Sequence, residues 1–149
     1  MPELPEVETV IRRAFAYAFQ SERELPIGAV PKLAFQRIDE RPFEVLGQTV
    51  TPIPLIHNWY NVFGFRLDNV AYCTDVSEIP ESSWPLLEGL RVLIIDSLRY
   101  KPHPAHLSLN QALEVIERAA PERAYLTHMS HEFDYGELNS NLPAGVEMA

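Results

Sequence analysis

The chain has a single cysteine, Cys73, so it cannot form an intramolecular disulfide. No apolar stretch reaches the length needed to span a membrane. The N-terminus also lacks the order of basic and then apolar residues that marks a signal peptide. These absences argue against disulfide-stabilised, secreted and membrane-spanning proteins, and they predict a cytoplasmic location.

Basic residues are scarce as well. The 149 residues include 12 Lys and Arg against 21 Asp and Glu, which gives a formal net charge of −9. A protein that binds duplex DNA usually places many Lys and Arg against phosphates, whereas the densest basic cluster here is the pair Arg12-Arg13. The charge balance therefore argues against duplex DNA as a partner. The length predicts one domain.

Apolar periodicity predicts a helix followed by several short strands. Pro5–Gln20 carries apolar residues at helical spacing, with proline and acidic residues in the first turn. A loop rich in proline and glycine covers residues 21–31. The β-type runs that follow are Leu33–Ile38, Phe43–Leu46, Gln48–Ile56, Val62–Leu67 and Val70–Thr74, the last two forming a hairpin around Asp68-Asn69.

The second half of the sequence alternates strands with helices. Glu81–Leu87 reads as a short helix, and the continuous apolar run Leu90–Asp96 is typical of a strand buried on both faces. Ser108 opens a capping box for a helix that stops at Pro121, and strands are expected at 123–129 and 145–149. Strands followed by a strand–helix–strand order predict a mixed α/β layered domain.

Residues with metal-binding or catalytic chemistry fall at the predicted strand ends. A single histidine there is most often a hydrogen-bonded surface residue, and an aspartate is most often a turn-former or a helix cap. Their joint placement favours a functional site, because strands hold such side chains rigidly while loops leave room for substrate. His57 ends VTPIPLIH, Asp75 ends VAYCTD, His103 and His106 lie in PHPAH, and His128 and His131 end AYLTHMSH.

From about residue 11 to residue 149, these motifs resemble in their order the C-terminal half of a metallo-β-lactamase-fold hydrolase. The phosphodiesterase-like members are most similar, namely relatives of the cyclic phosphoribosyl phosphodiesterase of phosphonate breakdown and, more distantly, of transfer-RNA 3′-processing endonucleases. The resemblance implies that His57 and His128 are metal ligands and that Asp75 is the carboxylate bridging two metals. It also implies that His106 is a catalytic histidine that assists the phosphate chemistry, and we count His103 and His131 as additional candidate ligands.

The H-x-H-x-D-H motif that defines this family is absent from the sequence. The expected fold is therefore an α/β, metallo-β-lactamase-like αββα sandwich truncated at its N-terminal half. The expected function is metal-dependent hydrolysis of a small-molecule or nucleotide phosphodiester, with one or two Zn or Mn ions bound more weakly than in an intact family member. A half-fold of this kind leaves apolar sheet surface uncovered, which predicts self-association.

Two other functions remain open. The first ten residues, MPELPEVETV, resemble the start of the formamidopyrimidine-DNA glycosylases, which would make Pro2 the catalytic amine and Glu3 its assistant. That resemblance ends after Val10, and one cysteine cannot build the four-cysteine zinc finger of that family. Residues 1–20 are thus expected to be a leader with a glycosylase-like start, and 21–149 a partial hydrolase domain. The other alternative is a non-catalytic remnant that binds a partner.

Overall fold

A computed structural model describes residues 4–19 and 31–149 of the chain. It divides into two compact units, Met1–Ile38 and Asp39–Ala149. In the first unit, helix α1 spans Leu4–Ala14 and a short 3₁₀ helix spans Ala16–Ala18, which confirms most of the predicted N-terminal helix. The glycosylase-like residues Pro2 and Glu3 lie outside the described residues, as does nearly all of the loop expected at 21–31.

The strand predicted at Leu33–Ile38 is wrong, because the described residues there form no strand. The ring of Phe35 stacks on the ring of Phe19 with centroids 5.3 Å apart, and the guanidinium of Arg12 lies over both rings. The Leu33 N–H donates to the Ala18 carbonyl. The apolar run that resembles one face of a strand therefore packs against the N-terminal helical segment instead.

The second unit is built on one sheet of seven strands, arranged in sequence order from β1 to β7. Strands β1 to β4 pair antiparallel, and β4 to β7 pair parallel. The predicted hairpin is confirmed, with Asp68 in the left-handed region at φ 52°. The strands are β1 Phe43–Val45, β2 Gln48–His57, β3 Tyr60–Leu67, β4 Val70–Cys73, β5 Val92–Asp96, β6 Arg123–Thr127 and β7 Val146–Met148.

Helices cover one face of this sheet. A 3₁₀ helix spans Glu81–Leu87, α2 spans Leu109–Ala119 and α3 spans Tyr135–Asn141. The predicted capping box is present, since Ser108 and Gln111 bond each other reciprocally at the start of α2. The core lies between these helices and the sheet, and its fully buried side chains include Ile53, Leu55, Leu87, Leu93, Ile95 and Leu126. Helix α3 was not predicted, because its segment carries little apolar periodicity.

The other face of strands β4 to β6 is mostly apolar and partly exposed, with Arg123 as the charged residue at its start on β6. We call it the outer face. Alternation along the strands places the side chains of Val70, Tyr72, Val92, Ile94 and Tyr125 there. None of the five belongs to the buried core cluster, and Tyr72 is 48% exposed.

Strand directions bring the ends of four strands to one edge of the sheet. Strands β4, β5 and β6 are parallel, and β2 runs in the same direction as β4 because each is antiparallel to β3. The chain therefore leaves β2 at His57, β4 just before Asp75, β5 at Asp96 and β6 just before His128, all on the same side. No helix in the described part of the chain is long and apolar enough to cross a membrane.

Candidate metal centre

Two of the predicted ligands occupy sharp bends that follow directly on strands. Asp75 has φ 54° and His128 has φ 58°, both in the left-handed region. A residue other than glycine pays roughly 1–2 kcal/mol for this conformation, so the surrounding structure must enforce it. Such outliers cluster at functional sites, and here they turn the chain two residues after the end of β4 and one residue after the end of β6.

The side chains from the four strand ends and the adjoining loop converge. Nε2 of His128 lies 3.6 Å from Oδ1 of Asp75, and Nδ1 of His106 lies 3.9 Å from the same oxygen. The ring of His106 lies 4.7 Å, centroid to centroid, from the rings of both His57 and His128. His57, Asp75 and His106 each offer a ligand atom, and these three atoms lie within 4.8 Å of one another.

The tautomer of His57 is fixed by a backbone contact. Its Nδ1 lies 2.7 Å from the carbonyl oxygen of Ala105. A carbonyl only accepts, so Nδ1 carries the proton and donates it, and Nε2 keeps its lone pair. A second hydrogen bond of this kind orients most histidine ligands in metal sites.

His106 is held by a buried carboxylate at the end of β5. Its Nδ1 lies 2.8 Å from Oδ2 of Asp96, which has no exposed surface. The same oxygen accepts the N–H of Val76 at 3.3 Å, while Oδ1 has no hydrogen-bond partner among the described residues. Burial raises the pKa of Asp96 to about 7, opposed by the Val76 N–H and by His128. Burial also lowers the pKa of His106, as does the neighbouring His57.

This donor set fits a divalent cation. It combines neutral imidazole nitrogens with one carboxylate oxygen, a mixture that suits Zn and also Mn. Both Nε2 of His57 and Nε2 of His106 are left for a ligand when their Nδ1 atoms are engaged. Asp75 is the carboxylate of the group and is exposed to solvent.

The additional candidate ligands differ in their placement. The ring of His103 lies 5.2 Å from that of His106, and its Nδ1 accepts the N–H of Ala105. Burial, and then the charge of Arg99, lower the pKa of His103. His131 is exposed and forms no hydrogen bond or ion pair with any residue in the described ranges. The structure thus brings His103 to the rim of the cluster and leaves His131 outside it.

Asp96 is the site residue that sequence reasoning missed. In the sequence it is the last residue of the apolar run Leu90–Asp96, which predicts only a strand end. The signal was present, because a carboxylate that ends a strand buried on both faces must be paired or protonated. The structure also gives His106, predicted only as a catalytic residue, a place among the atoms that could hold a metal.

A family model for the β-lactamase superfamily domain matches residues 4–129. The chain belongs to this superfamily. The match covers most of the second unit, including His57, Asp75, His106 and His128. It confirms the resemblance read from the motifs, and the seven-stranded α/β sheet agrees with the predicted fold class.

Solved structures and one curated protein are similar to parts of the chain. A diphosphatase of the PhnP family is 34% identical, with a TM-score of 0.82 over 95% of this chain and 51% of that one. A metallo-β-lactamase-fold protein from Bacillus subtilis is 22% identical, with a TM-score of 0.63 over 78% of this chain and 52% of that one, and shows the fold alone. An octanoyltransferase from Porphyromonas gingivalis is 31% identical over 123 residues, which are 81% of this chain and 24% of that protein.

The chain therefore spans about half of the diphosphatase and about a quarter of the octanoyltransferase. The activity named for the octanoyltransferase belongs to a protein of which most lies outside the match. The diphosphatase is the more informative comparison, since its similarity extends over nearly all of this chain.

Proposed function

We propose that this chain carries the C-terminal part of a metal-dependent hydrolase that cleaves a small-molecule or nucleotide phosphodiester. One observation carries the proposal: ligand atoms of His57, Asp75 and His106 lie within 4.8 Å of one another at a single sheet edge, and Nε2 of His128 lies 3.6 Å from Oδ1 of the same Asp75. The similarity to a diphosphatase supports phosphorus–oxygen chemistry as the reaction class. Buried Asp96 behind His106 supports a site built for proton transfer rather than for structure alone.

The residues that would hold the metal are His57, Asp75 and His128, with His106 beside them. A divalent cation bound there would supply Lewis-acid chemistry, stabilising charge on phosphoryl oxygens and acidifying water. Asp75 provides the negative charge that compensates the ion, and its Oδ1 is the atom nearest to both His106 and His128. His57 ends β2 and His128 follows β6, so in the strand order they lie on either side of Asp75, which follows β4.

His106 serves as the proton donor in this proposal. Asp96 accepts a hydrogen bond from Nδ1 and so orients the ring, and a second proton, on Nε2, is the one that His106 would give to the phosphate or its leaving group. A nitrogen that ligates a metal cannot also deliver a proton, so the two roles open to Nε2 exclude each other. The variant His106→Ala distinguishes the two roles. If His106 is the proton donor, the variant should lose turnover but bind metal within a few-fold of the wild type. Loss of metal binding to the extent seen in Asp75→Ala would assign it as a ligand instead.

Hydrolysis of bis(4-nitrophenyl) phosphate tests the proposal. The chain is stripped with a chelator, loaded separately with Zn and Mn, and assayed beside Asp75→Ala purified in the same way. Activity should require metal and should disappear in Asp75→Ala. The matched control is His131→Ala, which removes a histidine outside the cluster and should keep full activity. Metal binding without any metal-dependent hydrolysis would instead support the non-catalytic alternative.

A further inference from the structure

A short basic and aromatic loop borders the histidine cluster. The loop, residues Arg99–His103, reads RYKPH and places an exposed tyrosine between two cations in a protein of net charge −9. Nothing in the proposed metal chemistry uses Arg99, Tyr100 or Lys101. Because the loop ends at His103, whose ring lies 5.2 Å from that of His106, it is part of the rim of the site.

Backbone hydrogen bonds hold this loop beside both segments that carry the site histidines. The Leu98 N–H donates to the Leu107 carbonyl, next to His106, and the Leu109 N–H donates to the Arg99 carbonyl. Ser130, which lies two residues after His128, donates its N–H to the Leu98 carbonyl. The loop is therefore fixed relative to the cluster.

Tyr100 presents part of an anchored ring to solvent. Its ring meets that of Phe133 at 4.5 Å between centroids and an angle of 63°, and Phe133 packs against the hydrophobic core. Tyr100 is nevertheless 47% exposed. A planar ring that is held from one side and open on another can stack on the flat face of a base.

Arg99 and Lys101 are the two cationic residues of the loop. Arg99 donates from Nε to the Lys101 carbonyl and from Nη2 to the Pro102 carbonyl, so the guanidinium lies folded on its own loop. A guanidinium has more N–H donors than these two bonds use. The Lys101 side chain is exposed and forms no hydrogen bond or ion pair among the described residues. Both side chains thus offer positive charge and donors to an anionic ligand.

We propose that the Arg99–His103 loop binds a nucleotide, with the base stacked on Tyr100 and a phosphate held by Arg99 and Lys101. The proposal rests on the proposed hydrolase function and names its substrate class: a phosphodiester or diphosphate with a nucleoside on at least one side. Tyr100 is then a specificity-determining residue, since its ring distinguishes a nucleotide from a phosphate ester that lacks a base.

Calorimetric binding of AMP and of ribose 5-phosphate, in the presence of a chelator, tests this assignment on the full chain without metal or turnover. Stacking of one base on an aromatic side chain corresponds to roughly 5- to 160-fold in affinity, so AMP should bind more tightly than ribose 5-phosphate by a factor in that range. Tyr100→Leu keeps an apolar side chain against Phe133 and should abolish the difference, whereas Tyr100→Phe should retain it. Lys101→Ala should weaken both ligands equally.

Tyr72→Leu is the matched control, because Tyr72 is equally exposed but lies on the outer face. It should leave the preference for AMP unchanged. Equal affinity of the wild type for AMP and ribose 5-phosphate, or an unchanged preference in Tyr100→Leu, would overturn the inference and leave Tyr100 as a loop clamp. Absence of metal-dependent hydrolysis together with a Tyr100-dependent preference for AMP would instead overturn the proposed function and keep the binding site.

Discussion

Nδ1 of His106 lies 2.8 Å from Oδ2 of Asp96, a carboxylate with no exposed surface. This contact joins the end of β5 to the loop before α2 and fixes both the ring and the tautomer of His106. A histidine that must act through Nε2 depends on the partner that holds Nδ1. The Asp96–His106 pair therefore links a buried side chain to the candidate metal centre at the edge of the sheet.

Asp96→Asn should lower the rate of bis(4-nitrophenyl) phosphate hydrolysis by roughly ten- to a hundredfold, the usual effect of removing such a partner. The amide cannot offset the charge of a doubly protonated His106, which is the form that donates a proton from Nε2 while Nδ1 stays bonded. The change appears in steady-state kinetics with saturating metal. Ser97→Ala is the control, because Ser97 is the next residue, equally buried, and its hydroxyl has no partner in the described residues. Equal loss in both variants would mean that packing, not the pair, explains the effect.

The contribution of Asp96 to the stability of the metal-free chain should fall as the pH rises. Burial raises the pKa of Asp96 from its ordinary 3.8 to about 7. Between these values the folded chain keeps a proton that the unfolded chain has released, so this contribution is complete below pH 3.8 and is lost as the pH rises through 7. The shift corresponds to at most about 4 kcal/mol in the free energy of unfolding.

Urea unfolding at pH 5 and pH 8 in the presence of a chelator measures this dependence. All five histidines are present in both proteins, so the comparison that isolates Asp96 is between the wild type and Asp96→Asn. The variant should lose less stability than the wild type between the two pH values. Identical losses would show that Asp96 carries no proton in the folded chain.

Strands and helices were predictable wherever one local rule dominated. The capping box at Ser108 and the hairpin at Asp68-Asn69 are fixed by residues close in sequence, and both are present. Leu33–Ile38 failed because its alternation is satisfied by packing on the N-terminal helical segment, where Phe35 stacks on Phe19. No local pattern shows whether an apolar alternation will find a partner strand.

The convergence of the strand-end residues could be predicted from sequence, because strands that run in the same direction end at the same edge of a sheet. Asp75 and His128 are 53 residues apart and yet lie 3.6 Å from each other. The role of Asp96 could not be read so directly, since its importance depends on burial and on a contact with His106 across ten residues.

Self-association should occur through the outer face. We propose that this apolar surface, which is outside the buried core, binds the same face of a second copy. Sedimentation velocity over a range of protein concentrations should show a dimer or larger species in the wild type, and Tyr72→Glu should shift it toward monomer. Leu46→Glu is the control, because Leu46 is 99% exposed at the turn after β1. A monomeric wild type at all concentrations contradicts this prediction.

Calorimetric titration of the stripped chain with Zn and with Mn tests the account most directly, because the account requires a metal at the edge where His57, Asp75, His106 and His128 meet. Asp75→Ala should lose most of the binding, since it removes the anionic ligand and leaves neutral imidazoles to face a dication. His57→Ala should weaken binding less, and His131→Ala should not change it. Binding should also fall as the pH drops through the histidine range, because a protonated imidazole cannot ligate. The account predicts a large loss in Asp75→Ala alone among these variants; equal affinities of wild type and Asp75→Ala would contradict it.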